Sequence, residues 1–566
     1  MAKRLIECVP NFSEGRDMAV IKEIAAVIEN VEGVKLLNID PGAATNRTVI
    51  TFIGEPEAVC EAAFRAVKKA SEVIDMRKHT GEHPRIGATD VLPLVPVAGI
   101  TMEETVAYAR KLARRVGEEL SIPVYCYEEA AQVPERRNLA VCRAGEYEGL
   151  AKKMADPEWR PDFGPSVYDE RVARTGASVI GARDFLIAVN FNLNTTSTRR
   201  ANAIAFDVRE KGRPKREGNK ITGKPLKDEN GDTIMIPGTL KGTKAIGWFI
   251  EEYGIAQVSM NITDISQTPL HKAFEEVSEK ALKRGVRVSG TEIIGLVPKR
   301  VLIDAGKYFL ARQQRSSGIS ESEIIKIAIK SMGLDDLKPF EPQEKVIEYL
   351  IADSSEKHLV HFTCEEFAEE TASESPAPGG GSISAYMGAL GAALGTMVAN
   401  LSAHKAGWDD KWEYFSQWAE KGHRIMTDML ALVDEDTAAF NKIMDVFAMP
   451  KTTDAEKAAR SAALQEATLY ATEVPLRTME TAFSAFDIVK AMVEEGNPNS
   501  VTDAGVGALA IRSAVLGAFL NVKINASGLK DKETAARLVE KARRIADNAM
   551  AEETAVWKRV NEMIDK

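Results

Sequence analysis

Several short stretches hold side chains whose types and spacing suit chemistry. In ECVPNFSEGR (7–16) an apolar run ends in Asn11, Ser13, Glu14 and Gly15, polar residues just past a strand end, where side chains line sites; Ser13 and Asp17 would serve equally as helix N-caps. In NIDPGAATNRT (38–48) Asp40 closes one apolar run and Arg47 opens the next. An aspartate there fixes a histidine tautomer, binds an amino group or makes a turn. RKHTGEHPR (77–85) holds two of the chain's 7 histidines. His79 and His83 would form a metal pair on a helix, but Gly81 and Pro84 make the stretch a loop, and no third ligand falls at a zinc spacing. Set among Arg77, Lys78 and Arg85, His83 is instead kept neutral by nearby cations, the state a general base needs. The same cations suit an anionic substrate.

Two further stretches lie in the C-terminal half. VDEDTAAF places Asp434, Glu435 and Asp436 on a predicted helix. Adjacent helical residues point about 100° apart, so Glu435 faces away from at least one aspartate. Either Asp434 or Asp436 then faces the interior, with a raised pKa if desolvated; the alternative is a solvated acidic face. PAPGGGS presents Gly379, Gly380, Gly381 and Ser382 just before a helix, in the manner of an anion-binding nest. No Lys-Ser/Thr follows, so it is not a nucleotide loop.

Alternating elements must position these groups. In the first half, strands at 5–11, 34–39, 47–53, 88–97 and 123–127 alternate with helices at 17–29, 56–73 and 101–120, the last opened by a Thr101/Glu104 capping box. The order is that of the split βαβ motif. It returns with strands at 185–194, 244–251, 256–262 and 286–289 and helices at 198–211, 269–284 and 298–310. A charged, Gly/Pro-rich segment at 211–242 reads as an exposed loop or hairpin. From residue 363 onward the pattern is helical only, at 383–404, 409–447, 453–495, 501–525 and 531–564, with short loops that make a bundle of antiparallel neighbours. The fold class is therefore multidomain: two ferredoxin-like βαββαβ α/β subdomains followed by an all-α helical bundle.

The chain has 566 residues, 45% hydrophobic and 28% charged, the balance of a soluble multidomain protein rather than a disordered one. A net charge of −10 argues against a whole-chain nucleic-acid or membrane-surface binder. The 5 cysteines are scattered without a CxxC, which fits reduced thiols in the cytoplasm better than disulfides or a zinc site. The N-terminus lacks the apolar stretch of a signal peptide. Residues 375–403 carry no charge and are long enough to span a bilayer, but their Gly, Ala and Ser content and missing aromatic belt mark a buried helix.

ECVPNFSEG, NIDPG with TNRT, RKHTGEHPRIGATDVLP and GARDFLIAVNFNL together resemble the glutamate formimidoyltransferase family, over essentially the first 310 residues. PAPGGGSISA, ALVDEDTAAF and GAFLNVKIN resemble the formimidoyltetrahydrofolate cyclodeaminase and methenyltetrahydrofolate cyclohydrolase family. In this order the two halves resemble the bifunctional enzymes of histidine breakdown and one-carbon metabolism.

The resemblance implies transfer of a formimino group from N-formimidoyl-L-glutamate to N5 of tetrahydrofolate. Cyclisation to 5,10-methenyltetrahydrofolate with release of ammonia follows. It implies His83 as general base, Asp40 as its assistant, and folate contacts at Gly164, Pro165 and Ser166 through Gly176 and at Arg183. That segment is a few residues longer than in the relatives it resembles. Arg47 and Arg85 are plausible carboxylate anchors by bidentate pairing. The glycine loop becomes a folate-site loop, and Asp434 or Asp436 the acid that lets ammonia leave.

The implied domains are 1–181 and 182–325 for the two transferase subdomains, 326–358 for a helical linker and 359–566 for the cyclodeaminase. Expected partners are the two small-molecule substrates, with tetrahydrofolate as co-substrate, no metal or nucleotide, no nucleic acid, no membrane, and a homo-oligomeric assembly. Three other readings stand beside this one: a single catalytic half, a non-catalytic folate-binding or oligomerisation protein, and metal-dependent hydrolysis at His79 and His83.

Overall fold

In the computed structural model, which describes residues 4–43, 45–81, 84–218, 223–352 and 358–565, local chemistry starts and stops most elements of the α/β unit. Asp17 caps helix Met18–Glu29 by accepting from the N–H groups of Ala19 and Val20. Pro56 opens helix Pro56–Val73 where a missing N–H costs nothing. Thr101 and Glu104 form the anticipated capping box of helix Met102–Leu120.

Between these helices run β1 (Leu5–Cys8), its continuation β2 (Asn11–Phe12), β3 (Val34–Gly42), β4 (Arg47–Gly54), β5 (Thr89–Ala98), β6 (Val124–Glu128) and β7 (Ser178–Ala182). They form a 7-stranded sheet in the spatial order β3, β4, β1 with β2, β5, β7, β6. Pairing is antiparallel as far as β5 and parallel from β5 through β7 to β6. The core beneath gathers Ile6, Ile24, Phe52, Val67, Leu92 and Val116.

β7 escaped the sequence reading. Its five residues, SVIGA, are all buried, so they show none of the alternation that marks a half-exposed strand, and glycine weakens the strand pattern further.

A second sheet is built from β8 (Ile187–Leu193), β11 (Thr243–Ile250), β12 (Ile255–Ile262) and β13 (Val288–Ile294), in the spatial order β11, β12, β8, β13, antiparallel throughout. The charged segment before it carries a small ribbon of β9 (Arg213–Pro214) and β10 (Met235–Ile236).

The helical unit comprises helices Gly380–Ala403, Trp412–Ala448, Asp454–Ser484, Phe486–Glu495, Val501–Ser527 and Lys532–Ile564. The run expected as one helix at 453–495 is broken at Ala485, whose N–H bonds to the Ala482 carbonyl at 3.0 Å. Helices Gly380–Ala403 and 498–527 are each long and apolar enough to cross a membrane. Here small residues let them touch: a Cβ at Gly391 would lie 2.7 Å from Ile511 and 2.9 Å from the Gly507 carbonyl oxygen.

Compactness cuts the chain discontinuously. Residues 302–331 belong to the helical unit and 332–352 to the α/β unit, so the segment 326–358 is divided between them. Within the helical unit the Ser317 N–H donates to the Ser416 hydroxyl at 3.1 Å, and Asn400 donates to the Gly318 carbonyl at 2.8 Å.

Candidate active sites

Strand alternation builds the first site. Side chains two apart share a sheet face. Glu7, Val9 and Asn11, then Asn38 and Asp40, then Arg47, Val49 and Thr51, all line one cleft of about 310 Å³. Register orders them. Asn11 lies between Val49 and Val91, and Asp40 lies opposite Val49. Arg47 stands beyond that row, and Glu7, paired with Ile53 and Val95, stands at the other end. Tyr127, Arg143 and Arg183 add polar groups to the wall.

Several of these groups are poorly satisfied by the protein itself. Among the described residues, the buried Arg47 Nε and Asn11 Oδ1 have no hydrogen-bond partner, while Asn11 Nδ2 donates to the Val9 carbonyl at 2.8 Å. Burial pulls the Arg47 guanidinium down to about 10, against the attraction of Asp90 and Asp40. Glu7 is 4% exposed. Burial pushes its carboxyl up to about 7, with Arg183 opposing and Glu348 adding to the rise. Arg143 is tied to the fully buried Asp90, through Nε at 3.1 Å and a second contact from Nη2.

The cleft therefore brings together Asp40, Arg47, Asn11 and Arg183 of the residues expected from sequence. Others stand elsewhere. The Ser13 hydroxyl donates to the Gly87 carbonyl at 2.7 Å and is a structural fastener. Arg85, expected to anchor a substrate carboxylate, already has carboxylates of the chain: Glu148 at 2.6 Å and Glu146 at 3.2 Å. Its Nε donates to His79 Nδ1 at 3.2 Å, while His79 Nε2 lies 2.8 Å from the Asn46 carbonyl. Both His79 nitrogens are thus occupied, and burial depresses its pKa. Arg77 is held by Asp75 and Glu170, so the cations of this loop are largely paired. His83 lies outside the described residues.

The stretch expected to hold folate is shaped by backbone contacts. Gly164 and Gly176 have φ of 84° and 66°, and a Cβ on either would overlap a carbonyl oxygen, that of Ile122 or Ile86. Pro165 is half-buried and Ser166 exposed, and none of the four lines the cleft.

Sequence reasoning missed Glu7 and Arg143. Glu7 carried one usable signal: it is a charged residue between Ile6 and Cys8, in phase with Asn11.

The second site lies where helix Gly380–Ala403 begins. Gly379 is its N-cap, and Gly380, Gly381 and Ser382 form its first turn. Asp436, on helix Trp412–Ala448, accepts from the Ser382 hydroxyl at 3.0 Å. A Cβ on Gly381 would overlap the Asp436 carboxylate, so glycine is what admits it. Burial raises the Asp436 pKa, outweighing the Ser382 hydrogen bonds that favour the ionised form. Asn521 closes the other side, its Nδ2 3.5 Å from where a Gly380 Cβ would be.

The neighbouring acids point elsewhere. Asp434 accepts from the Leu359 N–H at 2.6 Å and lies 3.8 Å from His358. Glu435 accepts from Tyr470 at 2.6 Å and pairs with Arg477. Of the two aspartates between which the sequence could not choose, only Asp436 faces the glycine loop.

Three family models match the chain: the formiminotransferase domain, N-terminal subdomain, over residues 5–183; the formiminotransferase domain over 188–352; and formiminotransferase-cyclodeaminase over 363–544. The chain is 41% identical over 529 residues to the formimidoyltransferase-cyclodeaminase of Rattus norvegicus, covering 93% of each. It is 42% identical over 324 residues to the glutamate formimidoyltransferase of Thermoplasma acidophilum, covering 57% of this chain and 96% of that one. It is also 36% identical over 202 residues to the methenyltetrahydrofolate cyclohydrolase of Methylorubrum extorquens, covering 36% of this chain and 95% of the relative.

Proposed function

Because the chain belongs to the formimidoyltransferase-cyclodeaminase family, we propose that its two sites act in turn on one folate. The protein transfers the formimino group from N-formimidoyl-L-glutamate to N5 of tetrahydrofolate, then cyclises 5-formimidoyltetrahydrofolate to 5,10-methenyltetrahydrofolate with release of ammonia. The observation that carries the division of work is that the transferase descriptions stop at residue 352 and the cyclodeaminase description starts at 363. Tetrahydrofolate enters as co-substrate. No metal or nucleotide has a part in this scheme.

In the transfer step the amidine carbon is the electrophile. N5 loses a proton as it attacks, and the glutamate nitrogen gains one as it leaves. We assign both proton movements to His83, assisted by Asp40. Arg47 serves as carboxylate anchor; its unpartnered, buried Nε supports this, since such a donor gains most from an anionic partner. Asn11 and Arg183 belong to the same binding surface. Gly164, Pro165, Ser166 and Gly176 are assigned to folate on motif alone.

In the closing step N10 attacks the formimino carbon, the bond from that carbon to the departing nitrogen breaks, and the nitrogen must leave protonated. We assign the proton to Asp436 and folate contacts to the Gly379–Ser382 turn. Burial shifts Asp436 toward its acid form, which supports this choice over Asp434. Gly381→Ala is expected to displace the Asp436 side chain and slow ring closure at least tenfold, leaving transfer unaffected. The displaced atoms belong to the tip of a side chain, so folding survives.

The test is to mix the protein with N-formimidoyl-L-glutamate and tetrahydrofolate and follow glutamate, ammonia and methenyltetrahydrofolate. All three should appear in equal amounts. His83→Ala should abolish glutamate release yet still cyclise 5-formimidoyltetrahydrofolate supplied directly. Unchanged release would remove His83 from the mechanism.

The ferredoxin-like reading of both α/β sheets is supported by their shared strand order, in which the first strand of each lies between the third and fourth. Of the boundaries at 181, 325 and 358, the first and last are supported by the gaps between matched ranges at 183/188 and 352/363, whereas 325 falls within the second range. A homo-oligomer is supported by exposed Leu390, Met397 and Leu401 along one helix and by Leu520 and Ile524 on another. A cytoplasmic location is supported by the free cysteines.

A further inference from the structure

The cleft of the α/β unit holds an unanswered set of hydrogen-bonding groups. The Glu7 carboxyl lines it and is only 4% exposed. Among the described residues, Asn11 Oδ1 is a buried acceptor without a donor, and Arg47 Nε a buried donor without an acceptor. Buried polar groups are rarely left so unless something else satisfies them. Val9, Val49, Pro93 and Phe185 give the same cleft apolar surface, beside the polar Thr51 and Arg183. An occupant with N–H donors at the Glu7 end and apolar faces against Val9, Val49, Pro93 and Phe185 would answer these groups.

We propose that Glu7 recognises the pteridine ring of tetrahydrofolate, its carboxylate accepting from both N3–H and the 2-amino group. This rests on the transferase reading above. Those two N–H groups lie side by side on one edge of the pyrimidine ring, and a carboxylate accepts such a pair in the same fork geometry it offers arginine. Glu7 and Asn11 are four residues apart, so at about 3.3 Å per residue their backbones are separated by up to ~13 Å. A carboxyl side chain, a hydrogen bond and the bicyclic ring fill that length. N5, on the second ring, then arrives at the row of Asn11 and Asp40, where transfer is assigned. Arg47, beyond that row, is left for the carboxylate of the formimidoylglutamate. Burial pushes Glu7 toward neutrality, and two ring donors would favour its ionised form.

The test reads glutamate release by the full chain, with tetrahydrofolate and with 2-desamino-2-methyltetrahydrofolate as co-substrates. Wild type should use the desamino compound about 10- to 100-fold less efficiently in kcat/KM, the effect of a lost hydrogen bond to a charged group. Glu7→Gln should lower kcat/KM for tetrahydrofolate by a similar factor and bring the ratio between the two compounds close to one. The inference is overturned if wild type uses both compounds equally, a result that needs no variant. It is also overturned if Glu7→Gln keeps the wild-type ratio, or if its defect falls on KM for formimidoylglutamate alone, which would put Glu7 on the amidine. Failure of wild type to release glutamate at all would instead remove the transferase reading.

Discussion

Asp436→Asn is expected to leave formimino transfer intact and to slow ring closure by about 100- to 10,000-fold, the usual contribution of a positioned acid. The amide keeps the shape of the carboxyl and can still accept from the Ser382 hydroxyl now 3.0 Å away, but it has no acidic proton to give the departing nitrogen. The variant should therefore accumulate 5-formimidoyltetrahydrofolate while glutamate release runs at the wild-type rate. Closure at an unimpaired rate would take the acid's role away from Asp436.

Stability separates this from a folding defect. The Asp436 pKa is raised in the folded chain, chiefly by burial, so the native state holds its proton more tightly than the unfolded state does. The cost of the ionised carboxylate is absent below the unfolded value and fully present above the folded one. Asn carries no such cost, and its thermal midpoint at neutral pH should equal or exceed that of wild type. For the same reason, closure by wild type should persist to higher pH than an ordinary carboxyl would allow, then fall along an alkaline limb. An Asp434→Asn variant should close the ring at the wild-type rate, because Asp434 is occupied by the Leu359 N–H at 2.6 Å.

Asp90→Ala is expected to destabilise the protein by about 3–5 kcal/mol, the cost of leaving a buried charge without its partner. Asp90 is fully buried, accepts from Arg143 and also takes the Ile86 N–H at 3.1 Å. Removing it leaves the Arg143 side chain, only 13% exposed, facing the cleft without a counter-ion. It also removes an attraction that favours the charged form of Arg47. Denaturant titration of the full chain should show a lower midpoint for unfolding of the α/β unit, with loss of transfer. Asp90→Asn, which keeps an acceptor for Ile86, should lose less. An unchanged midpoint would mean that Asp90 and Arg143 are held apart by water rather than paired.

The legible parts of this chain were those governed by near neighbours. The Thr101/Glu104 box, the Asp17 cap and the proline at 56 act within one turn, so their consequences can be read from residue order. Apolar runs did the same for β1, β3 and β4, and they placed Asn11, Asp40 and Arg47 at strand ends. β7 was hidden because burial on both faces erases alternation. Residues 332–352 read as linker, but Ile347 lines the cleft, and nothing local in that sequence announces a return to the sheet.

By itself, then, the sequence determined the element types, the two-part architecture and the motifs that name the chemistry, since hydrogen bonding along the chain and side-chain period act over a few residues. It could not decide which polar residues are free to act. Arg85 and Arg47 look alike as loop-edge arginines, yet Glu146 and Glu148, some 60 residues further on, occupy the first, while the second keeps an unpartnered Nε. Asp434 and Asp436 share one short motif, yet a glycine more than 50 residues earlier opens room for only one of them. Glu7 reads as an ordinary strand residue until the folded chain buries it. Those choices belong to the tertiary structure because desolvation and ion pairing depend on what distant segments bring alongside.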